Sequence, residues 1–134
     1  MIKINETMRD IKCNIIIPNG LNIIMDDSGT GKTFGFNVIL SFCELNNIFA
    51  IKIDYNSIPK NIYDVMYLFR GADVVIIDNA DLFVNNDFMK QLCKCNIPYI
   101  IMSLKSNRHL KGIKYNEYML ILDKTASTLI GNRR

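Results

Sequence analysis

The chain has 134 residues, 49% of them hydrophobic and 22% charged, with a net charge of +3. That length supports one compact domain over 1–134 without a disulfide or metal staple, and the apolar content excludes wholesale disorder. The charge bias is too weak to argue for nucleic acid or an anionic membrane as a partner.

The opening MIKINETMRD carries Lys3, Glu6, Arg9 and Asp10 and lacks the apolar stretch of a secretory signal. No uncharged run approaches the length of a membrane span. Residues 13–17 form a β-branched run stopped by the turn Pro18-Asn19-Gly20, and 21–25 form a second short strand that enters a polar, glycine-containing loop. Residues 32–46 contain no proline, and their apolar positions nearly surround a helix, so a buried helix is expected. A strand follows over 49–54. Pro59 then opens an expected helix with Ile62, Val65, Met66 and Phe69 on one face, closed by Gly71. Val74-Val75-Ile76-Ile77 reads as a strand covered on both faces. A helix over 85–95 and a strand over 98–102 come next, then a polar stretch over 103–116. Residues 118–122 and 128–130 suggest a terminal hairpin. The alternation of strand and helix predicts an α/β fold, a three-layer α-β-α sandwich around a mostly parallel sheet. In such sheets ligands sit where strands end.

After the strand 21–25 comes Asp26-Asp27-Ser28-Gly29-Thr30-Gly31-Lys32-Thr33. Glycines let successive backbone N–H groups curl toward phosphate oxygens, and a helix starting near Lys32 adds its positive end. Lys32 suits the phosphates and the Thr33 hydroxyl suits Mg²⁺. The segment resembles the Walker A motif of P-loop NTPases, with Asp26 standing where the motif opens on glycine. The strand Val74 to Ile77 ending in Asp78 resembles Walker B, with Asp78 as a second Mg²⁺ ligand. Together, and with one extra strand–helix unit between them, these segments resemble the additional-strand ATPases, the broad class containing AAA+, RecA-like and ABC ATPases.

That resemblance implies ATP and Mg²⁺ as cofactors. Phosphate contacts would come from Ser28, Gly29, Thr30, Gly31, Lys32 and Thr33. The class usually places Glu after the Walker B acid to activate water. Here Asn79 follows; it orients water but cannot take its proton. Asp81 is the substitute candidate, and also reads as a cap for the next turn. Ser103, at the end of a strand, occupies the place of a polar sensor beside the γ-phosphate. The implied activity is a slow, Mg²⁺-dependent ATPase. The alternatives are a non-enzymatic, nucleotide-gated binding module and a small-molecule or nucleotide kinase. The resemblance also implies that a second copy or another protein supplies a lid or arginine finger; within the chain Arg70, Arg108 and Arg133 are the finger candidates. Lys105, Arg108, Lys111 and Lys114 read as a solvated basic loop. Cys13, Cys43, Cys93 and Cys95 lack zinc-site spacing and read as free thiols of a reducing cytoplasm.

Overall fold

The computed structural model describes residues 1–25 and 31–134. Eight strands form one sheet: β1 (Ile2–Met8), β2 (Ile11–Ile17), β3 (Gly20–Ile24), β4 (Ala50–Ile53), β5 (Val74–Ile77), β6 (Tyr99–Ser103), β7 (Asn116–Asp123) and β8 (Thr128–Arg133). Their spatial order is β1-β2-β8-β7-β3-β6-β5-β4. The pairs β1–β2 and β7–β8 are antiparallel hairpins. The strand β2 runs parallel to β8, and β7, β3, β6, β5 and β4 run parallel to one another. The α-helices are α1 (Lys32–Leu45), the single turn α2 (Val65–Leu68) and α3 (Asn86–Cys93).

The expected three-layer sandwich is corrected by this arrangement. The sheet is mixed and curls into a half-barrel, and helices are few. α1 touches β1 at one end of the strand order, β7 in the middle and β4 at the other end. In a flat sheet those end strands would stand seven spacings, about 34 Å, apart. A helix of 14 residues is about 21 Å long, so it reaches both only because the sheet wraps around it. The architecture is therefore not that of the P-loop NTPases, and the resemblance carried by the two motifs does not extend to the fold.

Two further differences explain how the sequence misled. The N-terminal strand β1 was not expected. Its signal is short: Ile2 and Ile4 are buried while Lys3 and Asn5 are exposed, a period-two pattern over one register only. The helix expected from Pro59 shrinks to α2. Asp54 accepts from the amides of Asn56 and Ser57, and Asn61 accepts from the amide of Tyr63. These local caps hold tight 3₁₀ turns over 55–57 and 62–64 instead.

The core lies on both faces of the sheet. Around α1 pack Ile4, Ile15, Ile17, Phe36, Ile39 and Leu120, with Val74 and Ile76 of β5. The other face joins Val75, Ile77, Ile100 and Met102 to Phe69, Phe88 and Leu92. The strand β5 feeds alternate residues to each core, which is why its sequence is continuously apolar. The two halves of the sheet meet at β3–β7, a seam of only two residue pairs, Asn22↔Asn116 and Ile23↔Glu117. Asn22, wholly buried, secures it: its Nδ2 donates to the carbonyls of Pro18 and Ile100, and its Oδ1 accepts from Asn116 Nδ2 at 3.2 Å. Tyr118 donates its hydroxyl to the Ile16 carbonyl at 2.8 Å, and burial pushes that phenol's pKa up. All four cysteines are free, and burial, followed by the charge of Asp73, pushes the Cys43 thiol up to about 11. No helix among the described residues is long and apolar enough to cross a membrane.

Candidate functional site at the end of the parallel strands

Ser28, Gly29 and Thr30, with Asp26 and Asp27, lie outside the described residues. Gly31 stands at the head of α1 with φ +88°, and a Cβ added there would lie 2.4 Å from Leu122 Cβ. The left-handed backbone and the missing volume both call for glycine. Glycine cannot cap the helix with a side chain, and the first turn of α1 contains no acid. α3, in contrast, is capped by Asn85, whose Oδ1 accepts from the Phe88 amide at 2.7 Å. The start of α1 therefore presents a positive helix end without a protein carboxylate in its first turn. Lys32 is half-buried and Thr33 exposed on this turn.

Register brings the second group to the same edge. Ile24 pairs with Ser103, and Ile77 pairs with Met102. Asp78, one residue beyond Ile77, thus arrives beside Ser103. The buried Ser103 hydroxyl donates to Asp78 Oδ1 at 2.7 Å and accepts from the Asn79 amide at 2.7 Å. One hydroxyl fixes both the carboxylate and the turn that follows it. Asn79 sits in the left-handed region, φ 51°, where asparagine is among the better tolerated residues. Its identity thus has a backbone reason as well as a chemical one.

Asp81 Oδ2 accepts from the Lys105 amide, which ties the turn after β5 to the chain leaving β6. Its Oδ1 is buried and takes no hydrogen bond among the described residues. The 105–114 segment is pinned to α3 by Asn86, whose Nδ2 donates to the carbonyls of His109 and Lys111, both at 3.0 Å.

The structure brings Gly31, Lys32, Thr33, Asp78 and Asn79 around one cavity of about 810 Å³. A second cavity of about 290 Å³ is lined by Lys32, Asn79, Asp81, Ser103 and Lys105, among others, so Lys32 and Asn79 border both. The far wall of the larger cavity is Ile121, Leu122, Asp123 and Lys124, at the tip of the β7–β8 hairpin. Sequence reasoning missed these four. The available signal was the unusual need for glycine at 31 and 35: an added Cβ at Gly35 would also meet a β7 side chain, Leu120, at 2.4 Å.

The donor set can be tested against the expected Mg²⁺. Among the described residues no three His, Cys, Asp or Glu side chains cluster as a metal site. Two carboxylates, Asp78 and Asp123, and one hydroxyl, Thr33, line the cavity; Asp123 stands on the hairpin wall, where its Oδ1 accepts from the amides of Thr125 and Ala126. That set is too sparse for structural zinc or an all-protein calcium cage. It fits Mg²⁺, which keeps several waters and takes its remaining ligands from phosphate. No protein-family model matches this chain, and no curated protein matches it.

Proposed function

We propose that this chain binds a nucleoside triphosphate, ATP, together with Mg²⁺ at the end of the parallel strands, and hydrolyses it slowly. The observation that carries the reading is one cavity bordered by Lys32 and Thr33 at the head of α1 and by Asp78 held on Ser103. Lys32 and the N-terminal end of α1 supply positive charge for the triphosphate. Thr33 and Asp78 would hold the Mg²⁺, which supplies charge neutralisation to the phosphate oxygens when bound. Ser103 is a positioning residue: it keeps the Asp78 carboxylate turned toward the cavity edge. Asn79 hydrogen-bonds water without accepting its proton, so nothing directly after Asp78 serves as a strong base. That supports turnover well below roughly 10 per second, the usual enzyme median. A second copy or another protein that adds a cationic group in trans would raise the rate. The free thiols support a reducing, cytoplasmic setting.

A second reading, phosphoryl transfer to a small hydroxyl compound, is favoured by the second cavity, which shares Lys32 and Asn79 with the first. Phosphate released to water and phosphate carried to an acceptor are separated in one assay with labelled ATP.

The test is a thermal melt. Millimolar Mg-ATP should raise the melting temperature, because a ligand at about 100 times its Kd adds about 2.7 kcal/mol of stability. Lys32→Ala should melt at the unliganded temperature with and without Mg-ATP. An unshifted wild type, or a Lys32→Ala variant that shifts as wild type does, contradicts the reading.

A further inference from the structure

We propose that Lys105 is a catalytic residue, the cation that this chain sets in cis against the terminal phosphate of the bound nucleotide, from the wall of the smaller cavity. This rests on the triphosphate reading above and adds to it a group that the sequence presents only as part of a solvated basic loop. The two cavities meet. Lys32 and Asn79 border both. Asp78 borders the larger and Ser103 the smaller, and a hydrogen bond of 2.7 Å joins them. The smaller cavity is thus one side chain away from the Mg²⁺ that Thr33 and Asp78 would hold. Of the two, about 810 and 290 Å³, only the larger has the size of a nucleotide pocket. With the nucleoside there and the phosphates at Lys32, the terminal phosphate lies at the junction, and Lys105 stands on its far side.

The chain delivers Lys105 to that place and fixes its backbone there. Ser103 pairs with Ile24 at the end of β3, and the Leu104 amide donates to the Ile24 carbonyl at 2.9 Å. Leu104 itself is buried. The next amide, that of Lys105, donates to Asp81 Oδ2. Two consecutive backbone bonds therefore hold the base of the lysine against the turn that follows Asp78 and Asn79. Only its side chain remains to be ordered when phosphate arrives, which is the economy of a pre-organised site. Arg108, Lys111 and Lys114 leave the same segment further on and border neither cavity.

The chemistry of the wall agrees. Lys32 and Lys105 bring two formal positive charges and Asp81 one negative, which leaves the smaller cavity at +1. Asp81 engages Oδ2 with the Lys105 amide and has Oδ1 buried. Leu82 and Leu104 stand among the polar groups, and an ammonium beside apolar groups attracts phosphate more strongly than one surrounded by water. In hydrolysis the water oxygen bonds to the terminal phosphorus while that phosphorus parts from the bridging oxygen. The electron pair of the broken bond leaves on ADP, and the water's protons leave on the released phosphate. A fixed cation lowers the barrier by meeting the charge that shifts over these oxygens. Lys105 moves no proton. It supplies within one chain, as a point charge, what a finger in trans would otherwise bring.

The test measures Mg-ATP affinity by titration calorimetry and turnover with labelled ATP, for wild type, Lys105→Met, Lys105→Arg and Lys111→Met. Far-ultraviolet circular dichroism confirms that each variant is folded. Lys105→Met should lower kcat about 100-fold, the loss seen when one group aimed at transition-state charge is removed. Its Mg-ATP affinity should stay within about threefold of wild type, the mark of a contact made in the transition state. Lys105→Arg, which keeps the charge, should recover most of the rate. Lys111→Met, the same change outside both cavities, should match wild type. Adding Lys32→Ala chains, which carry Lys105 but lack the phosphate lysine, should not repair Lys105→Met. Unchanged kcat in Lys105→Met, a defect explained wholly by lost affinity, or repair by Lys32→Ala chains overturns the cis cation while leaving the triphosphate site standing. So does a wild type that binds Mg-ATP without detectable turnover. Failure of wild type to bind Mg-ATP overturns the triphosphate reading and the role of Lys105 with it.

Discussion

Phe36→Ala should cost about 4 kcal/mol of folding stability, the range seen when a large buried aromatic is truncated and the site cannot collapse. Phe36 is completely buried on α1, in the core enclosed by the curled sheet. Lys52 of β4 stands 5.9 Å above its ring, so the side chain also joins the helix to an edge strand. The loss should appear in urea as a lower midpoint with an unchanged slope, since the surface exposed on unfolding hardly alters. With the size dependence of thermal unfolding, the melting temperature should fall by more than about 10 °C. A loss under about 1 kcal/mol would mean that α1 is not the post around which the sheet wraps.

Gly31→Ala should be nearly as damaging, for different reasons. The residue occupies φ +88°, and the new Cβ would stand 2.4 Å from Leu122 Cβ. Backbone strain of about 1–3 kcal/mol adds to an overpacking cost of about 1–3 kcal/mol. The substitution should destabilise the fold by about 3 kcal/mol and push the hairpin away from the head of α1. On the proposed function it should also weaken Mg-ATP by more than tenfold, because the Lys32 turn and the hairpin wall move apart. A second change, Leu122→Ala, should not relieve the clash, because alanine keeps the Cβ that the new group meets. Full stability in Gly31→Ala alone would contradict the observed contact of α1 with β7.

The elements near the site were largely legible in the sequence, and the global architecture was not. The strand β5 announced itself as four consecutive β-branched residues, and α1 as a proline-free stretch with apolar groups on nearly every side. Both follow local rules that tertiary context did not override. The curl is a matter of partner choice. Nothing local in Ile11–Ile17 states that its neighbours will be β1 and β8, and the lone period-two pattern of Ile2 and Ile4 gave no hint of a sheet edge. The strand-and-helix rhythm was then extended into a sandwich that the β1-β2-β8-β7 half does not form. Short capped turns defeated the reading after β4: Asp54 caps a separate turn ahead of Pro59, and Asn61 takes the Tyr63 amide that a helix from Pro59 would have used.

At the site, Lys32 and Thr33 were singled out by the Walker A resemblance and Asp78, Asn79 and Ser103 by their place after strands; register sets Asp78 beside Ser103, and the head of α1 brings Lys32 and Thr33 to the same edge. Ser103 was read as facing phosphate, whereas its hydroxyl is committed to Asp78 and to the Asn79 amide. The hairpin tip was invisible because nearly 90 residues separate Ile121 from Lys32, and only the steric need for glycine at 31 links them.

The central claim is that this edge binds a triphosphate through Mg²⁺. Titration calorimetry of ATP into the wild-type chain, with Mg²⁺ and then with excess EDTA, tests it most directly. The account predicts saturable binding of one ATP per chain with Mg²⁺, and a large loss of affinity when EDTA removes the ion that Thr33 and Asp78 would hold. No saturable heat with Mg-ATP, or equal affinity in EDTA, would contradict it.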